Sequence, residues 1–333
     1  MPSHGWKVLA SLALAFCLAQ AVNGKAAERP LRVAYTALDA VFLPVWATKE
    51  AGYFEKYKVS VELLSIRSSA LCLAATLAGD LDICAGGTLP VVSANLQGQS
   101  DLILFGTLNN KAGFWVYSNP AITDVSGLRG KRFGVTRFGG ALDFISRYFL
   151  KNSGLDPRKD VSMIQVGSTP DIVVALAGRS IDAGTLSLPS NLQAKKLGFR
   201  ELADLTDVGA SYPSAGLTAR KQFLIDNKIR MENFSKALIE GIHFIRTNRE
   251  ESLRILSKYT KVSDPESLAA AYDLHVKKIW LRVPELNPED LKPILEQAAE
   301  TNPKAHGLNP SSFIYDPFLK DVIKTGFVER LYK

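Results

Sequence analysis

The segments LRVAYT at residues 31–36 and KRFGVT at residues 131–136 decide the fold, because each predicts a buried strand that ends in a polar loop. Further matches follow both segments at similar spacing. The predicted helix after each second strand ends at Leu77-Ala78-Gly79 in the first half and at Leu176-Ala177-Gly178 in the second. This repeat, which spans about 55 residues in each half, predicts two similar lobes with a cleft between them.

Each half alternates predicted strands with predicted helices. Ser68 or Ser69 caps the helix after the second strand of the first half, and Ser168-Thr169-Pro170 repeats this cap in the second half. Alternation of this kind is typical of a parallel, doubly wound sheet with helices on both faces. The fold class is therefore predicted as α/β, with one doubly wound sheet in each lobe.

From Arg220 onward the sequence becomes mainly helical and offers no sheet of its own. This tail must pack on an existing lobe, and the first lobe is the expected host because the chain returns toward it through residues 215–219. Two segments that cross between the lobes would form a hinge. The predicted division is a discontinuous first lobe at 30–112 and 214–333, a second lobe at 119–210, and hinge crossings at 113–118 and 211–213.

Residues 1–21 have the features of a secretory signal. Lys7 precedes an apolar stretch that is too short to span a bilayer, and Ala19-Gln20-Ala21 places small residues at the cleavage position. Phe16 stands where a lipoprotein needs a small residue before Cys17, which argues against a lipid anchor. We therefore expect a removed signal peptide and an exported, soluble mature chain.

The composition is that of a globular chain. Of 333 residues, 47% are hydrophobic and 22% are charged, and the formal net charge is +7. The basic residues are scattered along the chain, without forming a tract, which disfavours nucleic acid as a partner. The length agrees with two domains that each bury a core.

Four segments carry a resemblance to a known family: LRVAYT followed by LPVWA at 43–47, EAGYFE at 50–55, LAGDLDI at 77–83 and LRGKRFGV at 128–135. They are similar to the periplasmic solute-binding proteins for sulfonates, taurine, nitrate and thiamine pyrimidine precursors. The resemblance implies a two-lobed binding protein of type II in the periplasm. Such a protein closes on a small solute and delivers it to the permease of an ABC importer. We further expect a monomer without a cofactor.

Ligands of open α/β sheets lie beyond the carboxyl ends of the strands, where helix starts present unpaired amides. The loops at these positions supply the predicted ligand-binding residues, which are Thr36, Asp39, Phe42, Arg67, Ser68, Ser69, Gly87, Thr88, Thr136, Arg137, Phe138, Gly139, Gly140, Ser168, Thr169 and Ser187. Capping of helices alone would also explain the serines and threonines. Four aromatic residues are candidates for the pocket wall or for the core: Phe42, Phe138, Trp115 and Tyr212.

The loop at 136–140 predicts a small organic anion as the ligand. It offers the hydroxyl of Thr136, the guanidinium of Arg137 and helix-terminal amides, which together would replace the water lost by a carboxylate or sulfonate. The first lobe carries Asp39 where the second has Gly139, and that carboxylate would repel an anion. An aminopyrimidine whose amine binds Asp39 is therefore the alternative.

An enzyme on the same fold is the competing class of protein. His243, His275 and His306 all lie in the helical tail, away from the predicted cleft loops. No serine or cysteine triad, metal cluster or P-loop is recognisable in the sequence. These observations favour a binding protein over an enzyme.

Cys72 and Cys84 are the cysteines that follow the predicted signal. Cys72 on the predicted helix and Cys84 on the strand after it lie at similar distances from the turn that joins the two elements. A disulfide needs their Cα atoms within roughly 7 Å, which is closer than a helix usually approaches its sheet. We expect two buried thiols, with a disulfide as the alternative.

Overall fold

The structure is a computed structural model that describes residues 29–98, 101–111, 113–206, 211–300 and 302–333. The predicted signal and Cys17 lie outside the described residues. One compact unit runs from Leu31 to Lys333. Within the described ranges, no helix combines the length and the apolar character needed to cross a membrane.

Ten strands in the described ranges form two sheets of five. In chain order they are β1 Leu31–Tyr35, β2 Val61–Ser65, β3 Ile83–Gly86, β4 Leu102–Thr107, β5 Phe114–Ser118, β6 Arg132–Val135, β7 Ser162–Gln165, β8 Ala183–Ser187, β9 Arg200–Asp204 and β10 Gly216–Arg220. The strand orders are β2-β1-β3-β10-β4 and β7-β6-β8-β5-β9. We call the first sheet with its helices lobe one and the second lobe two.

Helices cover the faces of both sheets and make up most of the tail. The α-helices are α1 Leu43–Glu50, α2 Tyr53–Lys56, α3 Ser69–Ala78, α4 Thr88–Leu96, α5 Ala141–Asn152, α6 Thr169–Ala177, α7 Ser190–Lys196, α8 Lys221–Asp226, α9 Lys228–Thr247, α10 Arg249–Thr260, α11 Pro265–Leu274, α12 Lys292–Ala299, α13 Pro317–Lys324 and α14 Phe327–Leu331. A π-helix spans His275–Ile279, and short 3-10 helices span Ala40–Phe42, Val125–Leu128, Pro288–Leu291, Pro303–Ala305 and Pro310–Phe313.

The two lobes repeat each other in detail. Arg32 N donates to Asp82 Oδ2, and one hundred residues later Arg132 N donates to Asp182 Oδ2, both over 2.9 Å. Ser68 and Ser168 cap α3 and α6 as predicted. The sequence repeat and the two-lobed α/β fold are therefore confirmed.

The prediction of purely parallel sheets is wrong in one strand of each sheet. β10 runs antiparallel to β3 and β4, and β5 runs antiparallel to β8 and β9. Each of these strands enters its sheet directly from the other lobe, without a crossover helix, so it runs against its neighbours. Residues 113–118 of the predicted first crossing include β5, and the chain passes between the sheets at 108–113 and again at 205–215. The predicted lobe boundaries stay a prediction.

The tail packs against lobe one. Its longest helix, α9, lies across α1, and a Cβ atom on Gly241 would stand only 1.9 Å from the Thr48 Oγ1 atom. The absence of a side chain at Gly241 thus permits the close contact between the two helices. The tail also reaches lobe two, because Glu300 pairs with Lys151 over 2.8 Å.

Cys72 and Cys84 form a disulfide, so the expectation of two free thiols is wrong. Their Cα atoms are 5.9 Å apart, inside the limit for a bridge. Helix α3 packs directly on the strand that carries Cys84, and both cysteines are almost completely buried at this contact.

We expect reduction of this disulfide to lower the free energy of unfolding by about 2 to 3 kcal/mol, because the bridge closes a short loop in the unfolded chain. Urea unfolding of the chain from residue 22 onward, with and without reductant, measures this change. The matched Cys72→Ala/Cys84→Ala variant should show the lower stability in both conditions. Equal stability of the wild type with and without reductant would contradict the prediction.

Candidate functional site

The strand orders define where the two lobes can hold a ligand. In the first sheet, β2 lies on one side of β1 and β3 lies on the other, and in the second sheet β7 and β8 lie on opposite sides of β6. The strand order therefore reverses between β1 and β3 and between β6 and β8, which makes each of these places a switch point. The loops beyond the carboxyl ends of these strands are the usual binding site of such sheets. The candidate site is therefore lined by residues 36–42 and 86–88 of lobe one and by residues 136–140 and 188–191 of lobe two.

The first loop of lobe one is shaped by Asp39. Its Oδ1 accepts a hydrogen bond of 3.0 Å from Val41 N and so caps the 3-10 helix Ala40–Phe42. Phe42 is only 3% exposed, and its ring packs on Tyr35 and Trp46. Asp39 and Phe42, two of the three predicted site residues of this loop, thus have a structural role in lobe one.

The two other predicted loops of lobe one lie side by side. Ser69 Oγ accepts a hydrogen bond of 3.4 Å from Gly87 N, which joins the start of α3 to the start of α4. Thr88 Oγ1 donates over 2.8 Å to the carbonyl of Pro213 in the second crossing segment. The structure therefore brings Ser69, Gly87 and Thr88 together at the boundary between the lobes.

The predicted helix-terminal amides of the lobe two loop already have acceptors within the protein, so they are not free for an anion. The pairs are Phe138 N with Gln165 Oε1 (3.1 Å), Gly139 N with Asp143 Oδ2 (2.9 Å) and Gly140 N with Arg137 O (3.1 Å). Asp143 lies in the first turn of α5, where a carboxylate is stabilised by the helix dipole. The anion site at 136–140 stays a prediction, with its amides at 138–140 engaged by the protein.

Asp143 belongs to an arrangement that also holds Phe138. The Asp143 carboxylate is nearly buried and accepts a hydrogen bond of 2.8 Å from Arg147 Nε. The guanidinium of Arg147 lies over the ring of Phe138 at 5.9 Å, while that ring remains 52% exposed. Of the four aromatic candidates, Phe138 is thus the one that presents a ring at the surface.

Trp115 and Tyr212 are core residues in this structure. Trp115 is 8% exposed within the core of lobe two, and Tyr212 is 1% exposed. Tyr212 stacks on Phe144 with ring centroids 4.3 Å apart, and burial raises the pKa of its hydroxyl. Tyr212 thereby attaches the second crossing segment to α5 of lobe two.

The remaining polar candidates of lobe two gather around the starts of α6 and α7. Ser168 caps α6 together with Asp171, and Thr169 Oγ1 accepts a hydrogen bond of 3.1 Å from Ser190 Oγ. Ser187 is 7% exposed at the end of β8. Sequence reasoning missed Ser190 and its neighbour Asn191, although a polar pair directly after a buried strand is the signal used for the other loops.

Two arginines of the predicted ligand loops, Arg137 within the candidate site and Arg67 beyond the edge strand β2, differ from most other charged residues nearby. Arg67 and Arg137 are both exposed, and within the described ranges neither side chain makes an ion pair or a hydrogen bond. Arg67 follows β2 of lobe one, and Arg137 follows β6 of lobe two. The predicted ligand loops therefore offer one uncompensated guanidinium from each lobe.

The two crossing segments are joined by the side chain of Asn109. Its Nδ2 donates to Lys111 O over 2.7 Å and to Ser214 Oγ over 2.9 Å, while its Oδ1 accepts from Ala215 N over 2.9 Å. Asn109 is 1% exposed. The crossings are thus connected to each other through a buried side chain.

His275 lies closer to the candidate site than the sequence predicts. The π-helix that contains it packs against the 3-10 helix Ala40–Phe42, and Asp39 acts electrostatically on the imidazole. Burial lowers the pKa of His275, and the charge of Asp39 opposes this only in part. The expectation that the tail histidines lie away from the cleft loops is wrong for His275, because the tail folds back beside the hinge.

We expect the buried His275 to make the folded chain sensitive to acid. Its pKa is about 6.5 in the unfolded chain and lower in the folded chain, so the unfolded state binds a proton first as the pH falls. The contribution of His275 to the free energy of unfolding is therefore fully present above a pH of about 6.5. It decreases below that pH, by at most about 1.4 kcal/mol per pH unit. Urea unfolding across this range should show a smaller decrease for His275→Leu, and identical slopes would contradict the prediction.

Comparisons with known proteins agree with this architecture. The sequence profile described as the NMT1-like family matches residues 24–260. The Bacillus subtilis (strain 168) protein YtlA, whose name describes it as a binding protein, is 20% identical over 305 residues, which cover 89% of this chain and 91% of that protein.

Solved structures show the same fold. The periplasmic aliphatic sulphonate binding protein SsuA from Escherichia coli superposes with a TM-score of 0.72 at 18% identity, covering 88% of this chain and 99% of that one. The periplasmic nitrate-binding protein NrtA from Synechocystis PCC 6803 superposes with a TM-score of 0.72 at 16% identity, covering 89% and 88%. Within the described ranges, no group of three or more histidine, cysteine, aspartate or glutamate residues could hold a metal ion.

Proposed function

The chain belongs to the NMT1-like family, and from this premise we propose that it is the periplasmic binding component of an ABC importer. In this proposal a monomer captures a small organic anion, of the sulfonate or carboxylate type, between its two lobes. The lobes close over the solute by a hinge motion and present it to a membrane permease. No cofactor and no catalytic step are needed for this role.

The observation that carries the proposal is the pair of uncompensated arginines, Arg67 and Arg137. In this proposal the two guanidiniums face one space, where they would repel each other, so an anion between them would be stabilised by both lobes at once. A guanidinium also matches the geometry of a carboxylate or sulfonate with two parallel hydrogen bonds. Because the arginines come from different lobes, the bound anion would favour the closed arrangement over the open one.

Neutral hydroxyls lie near the same strand ends. Ser69 lies at the start of α3 in lobe one, and Thr136 and Thr169 lie at the corresponding strand ends of lobe two, whereas Gly87 N and the buried Thr88 hydroxyl already donate within the protein. The lobe two amides at 138–140 are engaged by the protein itself, so in this proposal the charged end rests mainly on the arginines. The solved relatives SsuA and NrtA are named for sulphonates and nitrate, both of which are small anions.

The aminopyrimidine alternative depends on Asp39 as the partner of the amine. Asp39 already caps a 3-10 helix through one carboxylate oxygen and lies beside His275. A residue with this structural role is a weaker basis for ligand choice than two unpaired arginines. The anion is therefore the proposed ligand, and the amine remains an outcome of the experiments below.

The first test identifies the ligand. Mass spectrometry of small molecules released from the purified protein, followed by thermal shifts with sulfonates, carboxylates and aminopyrimidines, should select an anion. A true ligand at 100 times its dissociation constant stabilises the folded state by about 2.7 kcal/mol. Stabilisation by aminopyrimidines alone would contradict the proposal.

We expect closure on the ligand to reduce the radius of gyration of a monomer. Small-angle scattering with and without saturating ligand measures both the mass and the size. An unchanged radius would contradict closure, unless the ligand-free radius already matches that of the closed chain. A dimeric mass would contradict the proposed monomer.

A further inference from the structure

Asn191 is a buried polar side chain with an unused hydrogen-bond acceptor. The residue is 5% exposed, and its Oδ1 has no hydrogen-bond partner among the described residues. A buried acceptor without a donor is costly, and folded proteins contain few of them. The carbonyl oxygen of Asn191 therefore needs an explanation.

The position of Asn191 places it at the candidate site. It lies in the first turn of α7, directly beyond the carboxyl end of β8, which flanks the switch point of lobe two. The preceding residue, Ser190, bonds to Thr169 at the start of α6, so both helix starts meet there. Leu188 packs against the core of lobe one as well as that of lobe two. Leu188, three residues before Asn191, thus contacts both lobes.

A structural role does not explain the Asn191 side chain. Asparagine at a helix start commonly caps the helix, but α7 has no side-chain cap. The Ser190 hydroxyl, which stands next to it in sequence, donates to Thr169 instead. The acceptor is therefore kept at a strand end where a ligand is expected and where the protein supplies no donor.

We propose that Asn191 is a specificity-determining residue whose Oδ1 accepts a hydrogen bond from an N–H or O–H group of the bound solute. This inference rests on the proposed function and narrows its substrate class. The solute is an organic anion that also carries an amino or hydroxyl group, with the charge on the arginines and the donor on Asn191. A site built for a donor rejects the analogue that lacks it, because the buried acceptor is then left unpaired.

The first experiment needs no ligand. Asn191→Leu keeps the volume and removes the unpaired acceptor, so the melting temperature of the ligand-free protein should stay the same or rise. Asn95→Leu is the matched control, because Asn95 Nδ2 donates to Val91 O and Leu102 O and its loss should lower the melting temperature. A similar fall for Asn191→Leu would show a structural role and overturn the proposal.

The second experiment measures selectivity by titration calorimetry with matched probes. Ethanesulfonate is compared with 2-aminoethanesulfonate and 2-hydroxyethanesulfonate, and propionate with its 3-amino and 3-hydroxy forms. The wild type should prefer a donor-bearing member by on the order of ten- to hundredfold. Asn191→Leu should abolish that preference. Asn191→Asp should weaken binding of every anionic probe, because its carboxylate repels an anion, but should keep the relative preference because an acceptor remains.

The outcomes separate this inference from the proposed function. Equal binding of donor-bearing and donor-free probes by the wild type overturns the role of Asn191 but leaves an anion-binding protein. Binding of aminopyrimidines but of no anionic probe overturns the anionic class. If aminopyrimidines that carry a donor bind better than those without one, and Asn191→Leu removes this preference, the role of Asn191 as an acceptor is still supported. Binding of no probe overturns the proposed substrate class and with it the narrower class of donor-bearing anions.

Discussion

Arg137→Ala is expected to weaken binding of the anionic solute by about 2 to 4 kcal/mol, which corresponds to roughly 30- to 1000-fold in Kd. The reason is that the guanidinium of Arg137 has no partner within the described ranges, so its free charge is available to the ligand. Its removal leaves the anion desolvated on the side of lobe two. Titration calorimetry with the identified ligand measures the change.

Companion variants test whether charge and geometry both matter. Arg67→Ala should weaken binding in the same direction, and Arg137→Lys should fall between wild type and Arg137→Ala because it keeps the charge but loses the planar fork. Asp39→Asn should change affinity little, since Asp39 caps a helix of lobe one. The reverse ranking, with a large loss for Asp39→Asn and a small one for Arg137→Ala, would reject the anion in favour of an amine.

Asn109→Ala is expected to lower the free energy of unfolding by about 3 to 5 kcal/mol. Four hydrogen bonds of the Asn109 amide disappear together, and the Ala215 N–H loses the acceptor that it has in the folded chain. Because Asn109 is almost completely buried, water cannot replace these bonds without opening the crossing segments. Urea unfolding monitored by tryptophan fluorescence measures the loss.

The neighbouring asparagine provides the control for this prediction. Within the described ranges the side chain of Asn110 makes no hydrogen bond, so Asn110→Ala should leave stability nearly unchanged. Asn109→Asp keeps the acceptor for Ala215 N but buries a carboxylate against the carbonyls of Lys111 and Tyr212, so it should be at least as destabilising as Asn109→Ala. A stability of Asn109→Ala equal to that of Asn110→Ala would show that the crossings do not depend on this side chain.

The parts of the fold that were predictable from the sequence depend on neighbours along the chain. Ser68 and Ser168 signal helix starts because a capping side chain bonds to an amide three residues later. Gly79 ends its helix with φ of 88°, a conformation that glycine adopts readily. These local rules placed both lobes and the loops between strands and helices.

The parts that were not predictable depend on contacts between distant segments. The direction of β10 follows from its return out of lobe two, which no local pattern records. The position of His275 depends on how the tail folds back. The disulfide depends on how closely α3 approaches β3, and that distance is set by the packing of the helix on the sheet. Within the site, the amides at 138–140 donate to acceptors of the protein. The spacing of residues in the sequence does not show whether such amides bind the protein or a ligand.

The exchange of strands between the sheets has a consequence for the order of assembly during synthesis. All strands of the second sheet lie in one continuous stretch, 114–204, so lobe two can close as soon as that stretch has left the ribosome. In the first sheet, β10 stands between β3 and β4 and pairs with both. Until residue 220 is made, β3 and β4 have unpaired facing edges that can recruit other chains. Lobe one is therefore the later half to mature, and the interval before β10 arrives is the period in which the nascent chain most needs protection from aggregation.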